Sequence, residues 1–439
     1  MTVIARFAPS PTGRLHVGNI RTALHNFLFT RKHGGRFILR VDDTDRERST
    51  AEFDAAIRDD LGWLGLEPDS MVRQSERFDL YEREFERLKA SGRVYACYET
   101  PEELDLRRKV LLGRGLPPVY ERKPADAPAP EGRAPHWRFR LDHDRPITWT
   151  DLIRGEQTFD PKLLSDPVVR REDGSWLYLL PSVIDDADLR VTHIVRGEDH
   201  VSNSAAQIQM FEALAAEPPQ FAHEALLVAA EGKLSKRLGS YGIDQVAADG
   251  FEPMALLSVL ARIGTSRPVE PFWSLDELAS DFDFGTFGRA PAHFDPHEVA
   301  LINARLLHNV AYEAVADRLP PGATADDWQL LRPNLQRLGD FPGWFAVLHG
   351  DADPPELSHD ERLVVREAAG VAARLDWSSE TWGALTGAVK EATGKKGREL
   401  FHPLRLALTG RDSGPEMAGL LAAMGKDRAL HRLQAAATR

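Results

Sequence analysis

Two short segments of this chain carry side chains suited to holding a polyphosphate. In the first, Pro9, Ser10, Thr12, Gly13, His16, Gly18 and Asn19 follow an apolar stretch and lead into an apolar helix pattern. Glycines let a backbone approach a ligand closely, and prolines stiffen the turn between them. The second is Lys233-Leu234-Ser235-Lys236-Arg237, three cations in five residues, followed by Gly239. Negative charge builds on a triphosphate under attack at its α-phosphorus, and a lysine on a loop can meet it. Each segment alone has an ordinary reading: a turn histidine, a solvated basic loop. Both together, in this order, point to nucleotide chemistry.

The elements around them fit that chemistry. Residues 2–7 read as a short strand ended by prolines at 9 and 11. From Ile20 the apolar residues 20, 23, 24, 27 and 28 mark one helix face, Gly34-Gly35 stops the helix, and residues 36–41 read as the next strand. Strand, helix and strand make a βαβ unit with a parallel sheet. His16 and Asn19 then fall at the helix N-terminus, where free N–H groups and the dipole favour phosphate. Sheet pattern returns near Val168 and Val191, so the first domain is expected to be discontinuous in sequence, and the run 194–200 follows Tyr178 and an Asp185-Asp186 pair. Arg6 and Arg196 offer planar guanidinium forks that match a carboxylate in bidentate fashion.

The two cationic and glycine motifs resemble the His-Ile-Gly-His and Lys-Met-Ser-Lys-Ser signatures of class I aminoacyl-tRNA synthetases. Residues 6–13 and Asp42-Asp43-Thr44-Asp45 narrow the likeness to glutamyl-tRNA synthetases of bacterial type. The resemblance implies a Rossmann-like α/β catalytic domain with a parallel sheet, an inserted α+β domain that grips the tRNA acceptor end, and all-α C-terminal domains. It implies joining of glutamate to tRNA(Glu) with ATP and Mg2+, tRNA(Gln) remaining open as a second acceptor. It assigns catalysis to Lys236, His16 and Lys233. It assigns ATP binding to Pro9, Ser10, Thr12, Gly13, His16, Gly18, Asn19, Lys233, Leu234, Ser235, Lys236 and Arg237. Arg6, Ala8, Ser10, Asp42, Tyr178, Ser182 and Arg196 would bind glutamate. Among the chain's departures from the family, Asn19 stands for the motif's second histidine, Asp42 for the usual Glu, and Ser182 for the usual Asn. Asp185 and Asp186 are expected to organise the site rather than move protons, because the substrate carboxylate is already the nucleophile.

Composition limits the alternatives. Length, 439 residues, suggests three or four domains, and the 42% hydrophobic and 28% charged content is that of a soluble globular chain. No apolar run approaches the roughly 20 residues that span a bilayer, and no basic-then-apolar leader is visible, so the cytoplasm is expected. The single cysteine, Cys97, excludes an internal disulfide and a cysteine-based zinc site. Some relatives carry a four-ligand zinc knob at this place; here the later partners look missing, and neither zinc nor another protein-held metal is expected. Net charge of −12 is neutral evidence, since binding follows local basic surface such as residues 395–411, with five Lys/Arg against Glu399.

The expected organisation is a first catalytic half at 1–95, an inserted acceptor-stem domain at 96–165, and a second catalytic half with the basic loop at 166–245. A helical stem-contact domain at 246–305 and a helical anticodon-binding domain at 306–439 follow. A monomer is expected. Two rivals are a tRNA-modifying glutamyl transferase, which lacks the helical half, and a catalytically silent RNA-binding paralogue, against which intact His16, Lys236, Arg6 and Arg196 argue.

Overall fold

The computed structural model describes residues 2–124, 129–229, 242–351, 353–378 and 380–438. Residues 233–237 of the basic loop lie outside them. Five strands, β1 (Ile4–Phe7), β2 (Arg36–Val41), β3 (Ser70–Arg73), β4 (His193–Gly197) and β5 (Gln220–Glu224), form a fully parallel sheet ordered β5-β4-β1-β2-β3. Parallel strands are covered on both faces and read as apolar runs; Ala5, Phe7, Phe37, Ile38, Leu39, Ile194 and Val195 are all buried.

Helix α1 (Val17–Lys32) joins β1 to β2 and buries Ile20, Ala23, Leu24, Phe27 and Leu28, the face its spacing predicts. It begins three residues before the apolar stripe because His16 and Asn19 cap it reciprocally. The Gly18 N–H donates to His16 Nδ1 (3.1 Å), and the His16 N–H donates to Asn19 Oδ1 (3.2 Å). Gly34 ends the helix at φ +59°, and a Cβ on Gly35 would stand 2.2 Å from the Val3 carbonyl oxygen. That position admits only glycine.

After β3 the chain leaves the sheet and returns on the far side of β1 as β4 and β5. Strand order therefore reverses between β1 and β4, which opens a crevice at their C-terminal ends. The intervening segment forms a three-stranded antiparallel sheet of Val94–Cys97, His136–Phe139 and Val168–Arg170, and a hairpin of Ile147–Asp151 with Gly155–Phe159. The strand expected near Val168 as part of the catalytic sheet belongs instead to this antiparallel sheet, because it pairs with His136–Phe139. The sequence pattern is apolar in either setting, so only the partner distinguishes them. Tyr81, Phe85, Phe139 and Trp176 share one core with helices α2 (Leu179–Asp188) and α3 (Val201–Ala213). The charged helix Pro101–Gly113 carries the expected Thr100–Glu103 capping box.

The chain divides into two units, residues 1–296 and 297–439. In the first, Pro253–Arg262 buries Leu256, Leu257, Val259 and Leu260, and one short strand, Ala292–Phe294, pairs in parallel with Leu227–Ala229. The second is helical, with no strand among the described residues. Its core gathers Trp328, Phe341, Val365, Leu385, Leu404 and Leu433. No described helix is long and apolar enough to cross a membrane.

Candidate active site

The crevice at the C-terminal ends of β1 and β4 holds a cavity of about 720 Å³. Its wall brings together Arg6, Ala8, Pro9, Ser10, Thr12, Gly13, His16, Gly18 and Asn19 from the β1–α1 connection, with Asp42, Tyr178 and Arg196. At Gly13 nothing lies within 4 Å of where a Cβ would stand, so the backbone is open there, whereas a Cβ on Gly18 would press to 3.0 Å on the His16 ring. Burial lowers the His16 pKa. With Nδ1 accepting from Gly18, the neutral ring keeps Nε2–H as a donor at the start of α1, a place suited to phosphate.

A buried ion network lies behind this wall. Arg40, which sequence reasoning passed over, is fully enclosed in β2 and donates to both Asp42 oxygens (2.6 and 3.0 Å), to Asp186 Oδ1 (2.8 Å) and to the Ser182 carbonyl and hydroxyl oxygens (3.1 and 3.2 Å). Its only sequence signal is a cation inside the apolar run Phe37-Ile38-Leu39-Arg40-Val41. Ser182 is buried and does not line the cavity; its hydroxyl faces Arg40. Asp42 stands two residues beyond Arg40, on the same side of the strand, which brings its shortened side chain onto that guanidinium. Burial pushes the Asp42 carboxyl up to about 6, against the pull of Arg40. Asp186 also accepts from Arg6 (3.0 and 3.4 Å), and Asp185 accepts from Arg77 (2.7 Å), Tyr81 (2.8 Å) and Gln74 (2.9 Å). Both aspartates are occupied as organisers of neighbouring donors.

Arg6 and Arg196 differ in one decisive respect. Asp186 already answers the charge of Arg6. Arg196 is buried, donates from Nη2 to Ser204 Oγ and Gln207 Oε1 (both 2.6 Å), and has no carboxylate partner among the described residues. Its Nε has no hydrogen-bond partner either. Burial lowers its pKa to about 10, so it stays cationic at neutral pH. A buried unpaired charge is costly and marks a place where a ligand of opposite charge belongs. Nearby, the Tyr178 hydroxyl meets His200 Nδ1 (3.2 Å) and accepts from Asn203 (3.1 Å).

Away from the cavity, Cys97, Glu99 and His136 bring potential ligand atoms within 4.8 Å of one another, a grouping that sequence spacing did not reveal. His136 arrives because its strand pairs with Val94–Cys97. The donor chemistry fits a metal poorly. Burial pushes the Cys97 thiol up, its sulfur accepts from the Tyr120 hydroxyl (3.3 Å), and Glu99 is paired with Lys123 (3.0 Å) and bonded to Tyr120 (3.3 Å). In the second unit, the basic stretch 395–411 is partly engaged: Arg405 donates to the Pro415 carbonyl (3.1 Å) and Arg411 lies over Trp344 (4.2 Å), while Lys396 and Arg398 are exposed.

Residues 2–300 match the family described as tRNA synthetases class I (E and Q), catalytic domain, and residues 302–437 match an anticodon binding domain. The chain is 63% identical to glutamate–tRNA ligase 2 of Sphingopyxis alaskensis, over 99% of both chains, and 60% identical to glutamate–tRNA ligase 1 of Rhizorhabdus wittichii, over 99% of this chain and 100% of that protein. A crystal structure of a glutamate tRNA ligase from Elizabethkingia meningosepticum, in complex with its amino acid, superposes with a TM-score of 0.83 at 28% identity, covering 100% of this chain and 99% of that one. Sheet order, the reciprocally capped start of α1 and full-length similarity agree: the chain belongs to the class I tRNA synthetases of the glutamate and glutamine group.

Proposed function

We propose that this chain is a glutamate–tRNA ligase, activating glutamate with ATP and passing it to the 3′ end of tRNA(Glu). The observation that carries the reading is Arg196, a buried guanidinium without a carboxylate partner among the described residues, in the same cavity as a capped helix start fitted to phosphate. Full-length similarity to glutamate–tRNA ligases supports it.

In the proposed reaction a carboxylate oxygen of glutamate attacks the α-phosphorus of ATP, pyrophosphate leaves, and glutamyl-adenylate forms. The terminal ribose hydroxyl of tRNA then attacks the acyl carbon, and AMP leaves. His16, Asn19 and the loop from Pro9 to Gly18 hold the phosphates. Lys233 and Lys236 supply mobile positive charge as it builds there, with Leu234, Ser235 and Arg237 completing the loop, and Mg2+ accompanies ATP. Arg6 and Arg196 take the two substrate carboxylates, Asp42 and Tyr178 hold the ammonium end, and Ala8 and Ser10 shape the floor. Ser182 acts one step back, by fixing Arg40. No strong base is needed, so proximity and charge stabilisation carry the rate. The inserted segment 96–165 takes the acceptor stem, 246–305 the stem below it, and 306–439 the anticodon arm. The enzyme works as a cytoplasmic monomer without zinc.

ATP–pyrophosphate exchange with and without tRNA, followed by charging of purified tRNA(Glu) and tRNA(Gln) side by side, tests the reading. Glutamate-dependent exchange and charging of tRNA(Glu) are expected. Exchange without any charging points to a modifying transferase, and neither activity points to a silent paralogue. Charging of both tRNAs extends the function to tRNA(Gln).

A further inference from the structure

Arg196 ends a hydrogen-bonded chain that the reaction above does not use. Asp151, at the end of the hairpin strand Ile147–Asp151, is buried and accepts on Oδ1 from the backbone N–H groups of Ile153 (3.0 Å), Arg154 (2.9 Å) and His223 (3.2 Å). Its Oδ2 faces His223 Nδ1 at 2.5 Å. His223, fully buried on β5, stacks against Phe221 and turns Nε2 to Ser204 Oγ (2.8 Å). Ser204 and Gln207, one turn apart on α3, then accept both hydrogens of Arg196 Nη2.

The proton positions follow. Burial works to raise Asp151, but its hydrogen bonds hold the carboxyl below the usual range, so it accepts only. His223 must therefore carry its proton on Nδ1, and burial keeps the ring neutral. Nε2 then accepts a hydrogen bond from the Ser204 hydroxyl, leaving the oxygen's lone pairs to Arg196. Among the described residues every acceptor that touches Arg196 is neutral, and the carboxylate of this hydrogen-bonded series, Asp151, is kept two partners away. A carboxylate in direct contact would hold the guanidinium equally well but neutralise it.

We propose that Gln207, Ser204, His223 and Asp151 are positioning residues for amino-acid selection: they hold Arg196 through neutral acceptors only, so that its charge is answered by the substrate's side-chain carboxylate. This rests on the reading that Arg196 receives that carboxylate. The relay ties the glutamate pocket to the inserted hairpin, which supplies Asp151.

Gln207→Glu keeps the side chain's shape and adds the missing counter-charge, whereas Gln207→Met keeps its approximate size and adds none. In ATP–pyrophosphate exchange with tRNA present, Gln207→Glu should raise the KM for glutamate at least tenfold, leave the KM for ATP within twofold, and erode the preference for glutamate over glutamine. Gln207→Met should retain that preference. Equal losses in the Met and Glu variants, or unchanged glutamate KM in Gln207→Glu, would overturn the inference. If Gln207→Glu does not fold, Ser204→Ala carries the test by cutting His223 and Asp151 from Arg196: a several-fold rise confined to the glutamate KM is expected, and an equal rise in both KM values overturns it. Arg196→Lys is the reference. If that change leaves the glutamate KM untouched, the assignment of Arg196 itself fails; if it raises the KM while Gln207→Glu does not, only the neutral-cradle inference fails.

Discussion

Replacing Arg196 by Met should abolish glutamate selection without weakening the fold, the reverse of what removing a buried charged side chain usually does. Burial pushes the guanidinium down to about 10, more than two pH units below its ordinary value. At about 1.4 kcal/mol per pH unit, holding the charge costs the folded chain roughly 3 kcal/mol. A cation whose folded pKa is depressed carries that penalty at every pH below the folded value, so it is fully present at pH 7. Against the relief stands the loss of partners for Ser204 and Gln207, about 1 kcal/mol each. The net is a gain of about 1 kcal/mol, a rise in Tm of roughly 2–4 °C at most. Asp186→Asn offers the contrast, because it leaves Arg6 and Arg40 short of a buried counter-charge and should lose about 3–5 kcal/mol. Thermal unfolding with and without glutamate is the assay. Glutamate at about 100 times its Kd should stabilise the wild-type chain by about 2.7 kcal/mol and the Met variant by nothing. A Met variant that unfolds well below wild type, or that still gains stability from glutamate, would refute the claim that Arg196 is held unneutralised for the substrate.

Lys236→Ala should lower turnover by roughly 10²-fold or more with the fold intact, since one preorganised contact to developing charge is worth about 2.7–4 kcal/mol; near-normal steady-state charging would contradict the role. The carboxyl of Asp42 sits near 6 because of burial, and only its ionised form attracts an ammonium group. The KM for glutamate should therefore rise as pH falls through about 6, where the substrate's side chain, near 4.3, is still ionised; a flat profile from pH 5 to 8 would remove Asp42 from the ammonium site. Asp42→Glu, which restores the length usual in the family, should be tolerated in charging assays. The purified protein should carry no stoichiometric zinc, because a closed site wants four ligands and here a protonated thiol and a lysine-paired Glu99 face His136. Elemental analysis finding one zinc per chain would reverse that reading.

What the sequence alone determined about this protein is what short-range pattern can encode. The βαβ start was legible because Ile20, Ala23, Leu24, Phe27 and Leu28 repeat with the helical period and all are buried. The loop from Pro9 to Asn19 was legible as the start of a helix because its members lie within eleven residues, close enough for His16 and Asn19 to cap one helix together. The helical character of the second unit was legible for the same reason, as period rather than contact. Charge assignment was another matter. Arg6 meets Asp186 across 180 positions, Arg40 meets Ser182 across 142, and Asp151 meets His223 across 72. Nothing local distinguishes Arg6 from Arg196 as carboxylate forks, yet the fold places an aspartate against one and, among the described residues, a serine and a glutamine against the other. Likewise nothing local showed that the fold sets Arg40 against both Ser182 and Asp42. Periodicity is a property of neighbours along the chain. Whether a buried charge is already answered depends on which groups the sheet brings opposite it, and that only the tertiary structure decided.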